Sequence, residues 1–307
     1  MTRTRVLVTG GSGFVGRHVV AALREDGRQV TVADLNPHPD PSVRCVTGDL
    51  TEPSVRAAAV TDDIDAIVHL AAATSVLGSV ERPAEVHVTN VEMTAGLLEA
   101  ARQCGVATVV LASTNAVIGD VGQSTITESL PSAPLTPYGG TKAAAEMLLS
   151  GYAGSYGIRA PVVRLTNVYG GGMSHKDSFV PRLMRAAASG GQVEIYGDGE
   201  QRRDLVFVAD VARAVTQAVR GWPSGPVIIG GSRSYTVNEI TEVAREATGM
   251  PIRAQRVAAK PGEMPAVVVD ITRARSLGFE PEVALLEGMR SVWRDFMPGR
   301  AVAAPRA

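Results

Sequence analysis

Arg5-Val-Leu-Val-Thr9 runs directly into Gly10-Gly-Ser-Gly13-Phe-Val-Gly16, and an amphipathic stretch follows to about Arg24. The first five residues are β-branched and apolar and read as a strand; the last stretch reads as a helix. Glycines at this junction let the chain turn tightly and let the backbone approach a pyrophosphate closely. The helix start then offers unpaired N–H groups and the positive end of its dipole. A glycine triplet between a strand and a helix is the context a dinucleotide site requires. Gly10, Gly13, Phe14, Val15 and Gly16 are therefore its candidate residues.

Outward from this point the chain keeps alternating. Gln29–Asp34 is a second strand that ends in an acid. Asp34 lies 18 residues after Gly16 and 24 after Gly10, the spacing of a carboxylate that accepts from the two hydroxyls of an adenosine ribose. It would repel a 2′-phosphate, and no Arg or Lys follows at once, so NAD is expected rather than NADP. Strands are expected from Arg44, over Ala66–Ala73, over Thr108–Ser113 and over Ala160–Leu165. Small residues after the fourth strand, with Leu70, Ala71 and Ala72 as candidates, allow close approach of a cofactor. His69 reads as a packed core histidine. One helix is expected over Pro83–Cys104, and another from Pro137, which suits a helix start, to about Tyr156. On the latter Ala143, Met147 and Leu148 form an apolar stripe that serves either the core or a dimer seam.

Six such alternations after the glycine stretch predict an α/β fold: a Rossmann-type doubly wound parallel sheet. Beyond residue 165 the alternation is less regular. A helix is expected over Phe179–Ser189, strands over Val193–Tyr196 and Arg202–Val208, and helices over Asp210–Gly221 and Tyr235–Thr248, the last with Thr236 and Glu239 as a capping box. The expected division is a dinucleotide-binding domain over 1–165, with a returning segment near 203–229, and a smaller mixed α/β substrate lobe over 166–202 and 230–297. Residues 298–307, rich in Ala, Pro and Arg, read as a frayed tail.

Composition bounds the rest. The 307 residues are 45% apolar with net charge −1, so no basic field points to nucleic acid or to an anionic membrane. No apolar run is long enough to span a bilayer, and no leader is expected. Cys45 and Cys104 stand without a motif, as in a reduced cytoplasmic protein, and no His/Cys cluster suggests a metal.

The chemistry concentrates in Tyr138-Gly-Gly-Thr-Lys142. Four residues apart, the Tyr and Lys share one helix face. A free phenol titrates near 10, and bringing it to about 7 takes roughly 4 kcal/mol, which a buried ammonium and a cationic nicotinamide ring together could supply. Thr114, at a strand end, is the candidate hydroxyl that bonds the same substrate oxygen, in preference to Ser113. Tyr138 as phenolate would take a hydroxyl proton while hydride leaves the same carbon. Lys142 would reach the nicotinamide ribose.

These motifs, in this order, resemble the extended short-chain dehydrogenase/reductases, the nucleotide-sugar epimerases, dehydratases and reductases, over residues 4–296. The resemblance implies that Asp49, followed by Leu50, contacts the adenine. It implies further that Ser113-Thr-Asn-Ala-Val-Ile-Gly119 carries the catalytic hydroxyl, with Ile118 where a Tyr is usual. Arg164-Leu-Thr-Asn167-Val-Tyr-Gly170 resembles the segment whose Asn contacts the nucleotide diphosphate. Tyr196-Gly-Asp-Gly with Arg203-Asp204, and Lys260-Pro-Gly-Glu263, resemble the segments that hold base, phosphate and ribose. Family 4,6-dehydratases carry an acid pair where this chain has Asn115 and Ala116, so dehydration is disfavoured, as is decarboxylation. What remains is a homodimeric, NAD-dependent 4-epimerase of a UDP- or dTDP-linked hexose or uronate. A nucleotide-4-keto-sugar reductase is the alternative and a non-catalytic dinucleotide-binding regulator the second. The polar loop 173–178, with His175 and Lys176, is either a segment that closes over a ligand or a plain surface loop. One further expectation is that one of these two residues meets a uronate carboxylate.

Overall fold

The computed structural model describes residues 4–231, 233–258 and 266–297. Seven parallel strands form the central sheet: β1 (Arg5–Thr9), β2 (Gln29–Asp34), β3 (Arg44–Thr47), β4 (Ala66–His69), β5 (Thr108–Thr114), β7 (Pro161–Leu165) and β11 (Gly225–Ile229), in the order β11-β7-β5-β4-β1-β2-β3. The sequence shows why both faces are covered. Val6 and Val8 point to one layer and Leu7 to the other, and all three are fully buried. One face packs against α1 (Phe14–Glu25) and α8 (Val208–Gly221), through Val19, Leu23, Val215 and Val219. The other packs against α2 (Pro53–Ala59), α5 (Met93–Gln103) and α6 (Pro137–Tyr156), through Leu97, Leu98 and Leu149. The chain leaves β1 toward β2 on one side and toward β4 on the other, which opens a crevice at the carboxyl ends of β1 and β4.

The seventh strand, β11, lies beyond the six alternations legible in the sequence. Gly225–Ile229 pairs in register with Pro161–Leu165. The expected helix over Pro83–Cys104 is interrupted. After α3 (Val76–Glu81) the chain forms α4 (Pro83–His87), a π-helical turn over Val88–Glu92, and then α5. The wide turn places Asn90 inside, where its amide accepts from Ala73 N–H (2.8 Å) and donates to Ala73 O (3.1 Å) and Thr141 Oγ (3.0 Å). On α6 the buried face is Lys142, Ala145, Glu146 and Leu149, while Met147 is 64% exposed. The stripe of Ala143, Met147 and Leu148 is therefore not a single core face.

A smaller lobe carries the rest. β8 (Asn167–Tyr169), β10 (Arg202–Phe207) and β12 (Ser234–Thr236) form a three-stranded sheet. Two short pairs join β6 (Thr125–Ile126) to β14 (Val268–Val269) and β9 (Gln192–Tyr196) to β13 (Arg253–Val257). Arg202–Phe207 thus pairs outside the large sheet. The lobe core is Leu183, Met184, Ile240, Met289 and Phe296, from α7 (Phe179–Ser189), α9 (Val237–Thr248), α11 (Leu285–Trp293) and the turn after it; α10 (Thr272–Ser276) packs near β11. Thr236 and Glu239 form the expected capping box on α9, with Tyr235 left in β12.

Candidate active site

Two cavities meet at the crevice. The first, about 290 Å³, is lined by all of Gly10, Gly13, Phe14, Val15, Gly16, Asp34, Asp49, Leu50, Leu70, Ala71 and Ala72. The glycines are required by space. Gly10 adopts φ +70°, and a Cβ there would lie 2.7 Å from Ala71 N; a Cβ on Gly16 would lie 2.1 Å from Gly10 O. The N-terminus of α1 has no side-chain cap and no acid in its first turn, so its N–H groups face the cavity unspent. Asp34 is aimed by main chain: Ser12 N–H and Asn36 N–H each donate to its carboxylate at 3.0 Å. Cradle, dipole and oriented carboxylate fit a dinucleotide. Thr74, Thr89, Met93 and Lys176 also line this cavity; no spacing rule in the sequence singles out the first three.

The second cavity, about 440 Å³, is lined by Ser113, Thr114, Tyr138, Asn167, Lys176 and Arg203, among others, and shares Phe14, Val15, Thr74 and Lys176 with the first. Tyr138 enters it from the first turn of α6. Thr136 caps that helix by accepting from Gly139 N–H (3.3 Å), and Ser79 Oγ accepts the Tyr138 N–H (3.1 Å). Ala116 N–H donates to Thr114 Oγ (3.2 Å), which leaves the threonine's own hydrogen for the Tyr138 phenol oxygen. Burial holds the phenol above its ordinary value, and the Thr114 bond opposes this. Lys142 is not among the groups that lower it, contrary to the expectation from the four-residue spacing. The ammonium's charge is felt instead by His69, and Glu146, one turn further on, acts on it. Burial pushes it down to about 8, with Glu146 partly offsetting. Lys142 lines neither cavity and lies beneath Tyr138, 5% exposed.

Under the catalytic group lies a buried polar layer. Glu146 accepts from Ser113 Oγ (2.5 Å) and takes two nitrogens of Arg164, the shortest at 2.7 Å. His69 is confined to one tautomer. Thr94 Oγ donates to Asn90 O (2.6 Å), so it accepts from His69 Nε2–H (3.0 Å), and Nδ1 accepts from Thr9 Oγ (2.7 Å). Burial and the Lys142 charge push this imidazole down to about 3. It is the packed core histidine that the apolar strand implies.

The remaining expected residues scatter. Asn167, on β8, donates to Asp204 O (2.9 Å) and faces the second cavity, as does Arg203. Asp204 itself is buried and accepts from Gly231 N–H (2.8 Å). Tyr196 lines neither cavity; its hydroxyl is 3.5 Å from Glu194. Lys260 and Glu263 lie outside the described residues. Asn115 is buried away from the cavity and Ile118 is packed in the core, so no tyrosine equivalent reaches the substrate from there. Among the described residues, none lining the second cavity is an acid.

A dinucleotide cradle opening onto a Thr–Tyr–Lys group defines an enzyme of the short-chain dehydrogenase/reductase type. Within that class the chain belongs to the NAD dependent epimerase/dehydratase family, whose model matches residues 6–230. A putative UDP-glucose 4-epimerase of Methanocaldococcus jannaschii is 32% identical over 94% of this chain and 96% of its own length. Among solved structures, a UDP-glucose 4-epimerase from Thermotoga maritima with UDP-glucose superposes with a TM-score of 0.90 at 31% identity, covering 95% of this chain and 98% of that one. MoeE5 in complex with UDP-glucuronic acid and NAD superposes at 0.88 with 37% identity, covering 94% and 98%.

Proposed function

We propose that this protein is an NAD-dependent 4-epimerase of a nucleotide-activated sugar, UDP- or dTDP-linked, acting through a transient 4-keto sugar. One observation carries the choice within an epimerase/dehydratase family. The cavity holding Thr114 and Tyr138 has proton-transfer groups but, among the described residues, no acid to drive an elimination. The cofactor cavity adds the carboxylate of Asp34 where a 2′-phosphate would have to sit, which favours an NAD that is recycled in place.

Bound NAD would supply reversible acceptance of a hydride from carbon 4, held by the α1 N-terminus, Asp34 and Asp49. The chain's own part is proton handling and positioning. Tyr138 Oη takes the 4-hydroxyl proton and later returns it. The Thr114 hydroxyl, oriented by Ala116 N–H, donates its one hydrogen to the Tyr138 oxygen and would turn it to the sugar oxygen once substrate is bound. Lys142 supplies positive charge beneath, and a nicotinamide cation would add the stabilisation that Lys142 alone does not give to the phenolate. Asn167 and Arg203 would hold the diphosphate, with Lys260 and Glu263 around base and ribose.

Self-association would use α6. Met147 and Tyr156 are exposed there, and Leu148 and Tyr152 flank them in a shallow depression. NAD and nucleotide sugars carry ionised diphosphates and do not cross a bilayer unaided, so this reading assigns the enzyme to the cytoplasm and to carbohydrate metabolism.

The test is to release the bound dinucleotide from purified protein, identify it by mass, and run the reaction in D₂O. Stoichiometric NAD, with product lacking deuterium at carbon 4, is expected from internal hydride return. Loss of water with deuterium at carbon 5 would instead make it a dehydratase.

A further inference from the structure

Lys176 is the one described residue with a cationic side chain on the walls of both cavities. Its position is built, not incidental. The segment that carries it is fastened to the cofactor helix: His18 Nε2 donates to Gly171 O (2.9 Å) and Arg17 to Gly172 O (3.4 Å), while Gly172 N–H donates to Asp295 (2.7 Å). Its far end is fastened to α7, where Arg185 donates to the carbonyls of Ser174 and Lys176, each at 3.0 Å. Lys176 N–H closes a turn onto Met173 O (2.9 Å). This is a pinned segment rather than a plain surface loop.

The neighbouring acid does not serve it. Asp177 is held by Arg182 (2.7 Å) and Arg185 (3.2 Å). Burial pushes the Lys176 ammonium below its ordinary value, and no carboxylate among the described residues offsets it. A half-buried ammonium without an acid partner favours an anionic ligand group and disfavours a neutral one that leaves it unpaired.

Resting on the epimerase reading, we propose that Lys176 is the specificity-determining cation of the site and pairs with a carboxylate on the sugar, so that the preferred substrate is a nucleotide-linked uronic acid. The geometry separates two anionic ends. Arg203 lines only the substrate cavity, on the side away from the cofactor, which suits the diphosphate. Lys176 stands at the cofactor side, in the same cavity as Thr114 and Tyr138, where the reacting sugar ring must lie. The cofactor's pyrophosphate is the other anion within reach, but the free N–H groups of α1 already face it.

The experiment titrates UDP-glucuronate and UDP-glucose into the NAD-loaded wild type, Lys176→Met and Lys176→Arg, by calorimetry, with NAD content measured alongside. Expected is a wild-type preference for the uronate, an at least about tenfold fall in that affinity ratio in Lys176→Met, and recovery of most of it in Lys176→Arg. An unchanged ratio overturns the proposal. So does loss of NAD with equal weakening of both sugars, which would assign Lys176 to the pyrophosphate. Turnover on both sugars is followed in parallel. Binding with the expected ratio but no turnover would sink the epimerase reading and leave Lys176 in place. Turnover with a Lys176-independent ratio would do the reverse.

Discussion

The cofactor cavity and the substrate cavity meet at Lys176 and are built by opposite means. The first is organised by main chain, a glycine turn, the N-terminus of α1 and a carboxylate aimed by two backbone N–H groups, with Asp49, Leu50, Thr74 and Met93 completing its wall. The second is mostly side chains, brought from the end of β5, the start of α6, β8, β10 and the loop before α7. A main-chain site comes from a contiguous stretch and tolerates no added atoms. A side-chain site is assembled across the fold and is sensitive to which functional group stands at each position. Substitutions should therefore fail differently in the two.

The largest separation is expected at Tyr138. Tyr138→Phe removes one oxygen from the side-chain cavity and nothing from the cradle. Turnover should fall by about 10²–10⁴-fold, the range for losing a positioned proton carrier, with NAD content unchanged. Measuring both on the same preparation checks the contrast. If cofactor is lost together with turnover, the two cavities are not separable.

Next comes the layer beneath. Glu146 and Arg164 are 4% exposed and paired, so Glu146→Leu strands a guanidinium inside the protein and should cost about 3–5 kcal/mol in chemical denaturation. Combining Glu146→Leu with Arg164→Met should recover most of that loss, because two apolar groups need no partner. Equal stability of the single variant and wild type would mean that Arg164 finds solvent, and that the layer does not fix the floor of the substrate cavity.

How much could be read in advance follows the same division. Gly10 to Gly16 announce themselves because a close backbone approach excludes every side chain, and Asp34 because strand length fixes its distance from them. Tyr138 and Lys142 are legible through helical spacing, but their electrostatic relation is not. Whether an ammonium acts on a phenol depends on its surroundings in the fold, and here the groups it interacts with are Glu146 and His69. Asn90 could not be read at all, since a π-helical turn leaves no periodic signature and alone brings that amide to Ala73 and Thr141. β11 escaped because a five-residue strand opening on Gly-Pro lacks a following helix to mark it. Tyr196 shows the converse, a motif match whose side chain stays outside both cavities.

Lys142 gives a pH signature somewhat smaller than the Glu146 effect. Its pKa in the folded chain is about 8, against about 10.4 when free. Between those values the unfolded chain binds more protons than the folded one, so stability rises with pH across that window. Below about 8 the full penalty of the buried ammonium is present. The contribution is at most about 3 kcal/mol. Subtracting the profile of Lys142→Met from that of the wild type, both free of dinucleotide, isolates it. A difference that stays flat from about pH 8 to about 10.4 would mean that the ammonium is solvated in solution.

The smallest effect belongs to the one side chain through which the main-chain cavity makes a choice. Asn in place of Asp34 keeps the shape but has a single acceptor oxygen, so of the N–H groups of Ser12 and Asn36 one must face an amide hydrogen instead. The charge that repels a 2′-phosphate is gone, and so is the stronger acceptor for the ribose hydroxyls. The preference for NAD over NADP should fall by about tenfold, or about 1.4 kcal/mol, read as the ratio of dissociation constants. The glycine turn and the helix N-terminus remain, so binding of both cofactors should persist, and that persistence is the sharper half of the prediction. Loss of all dinucleotide binding would show that Asp34 braces the Ser12 turn itself. The cradle would then depend on a side chain as much as the substrate cavity does, and the contrast between the two would close.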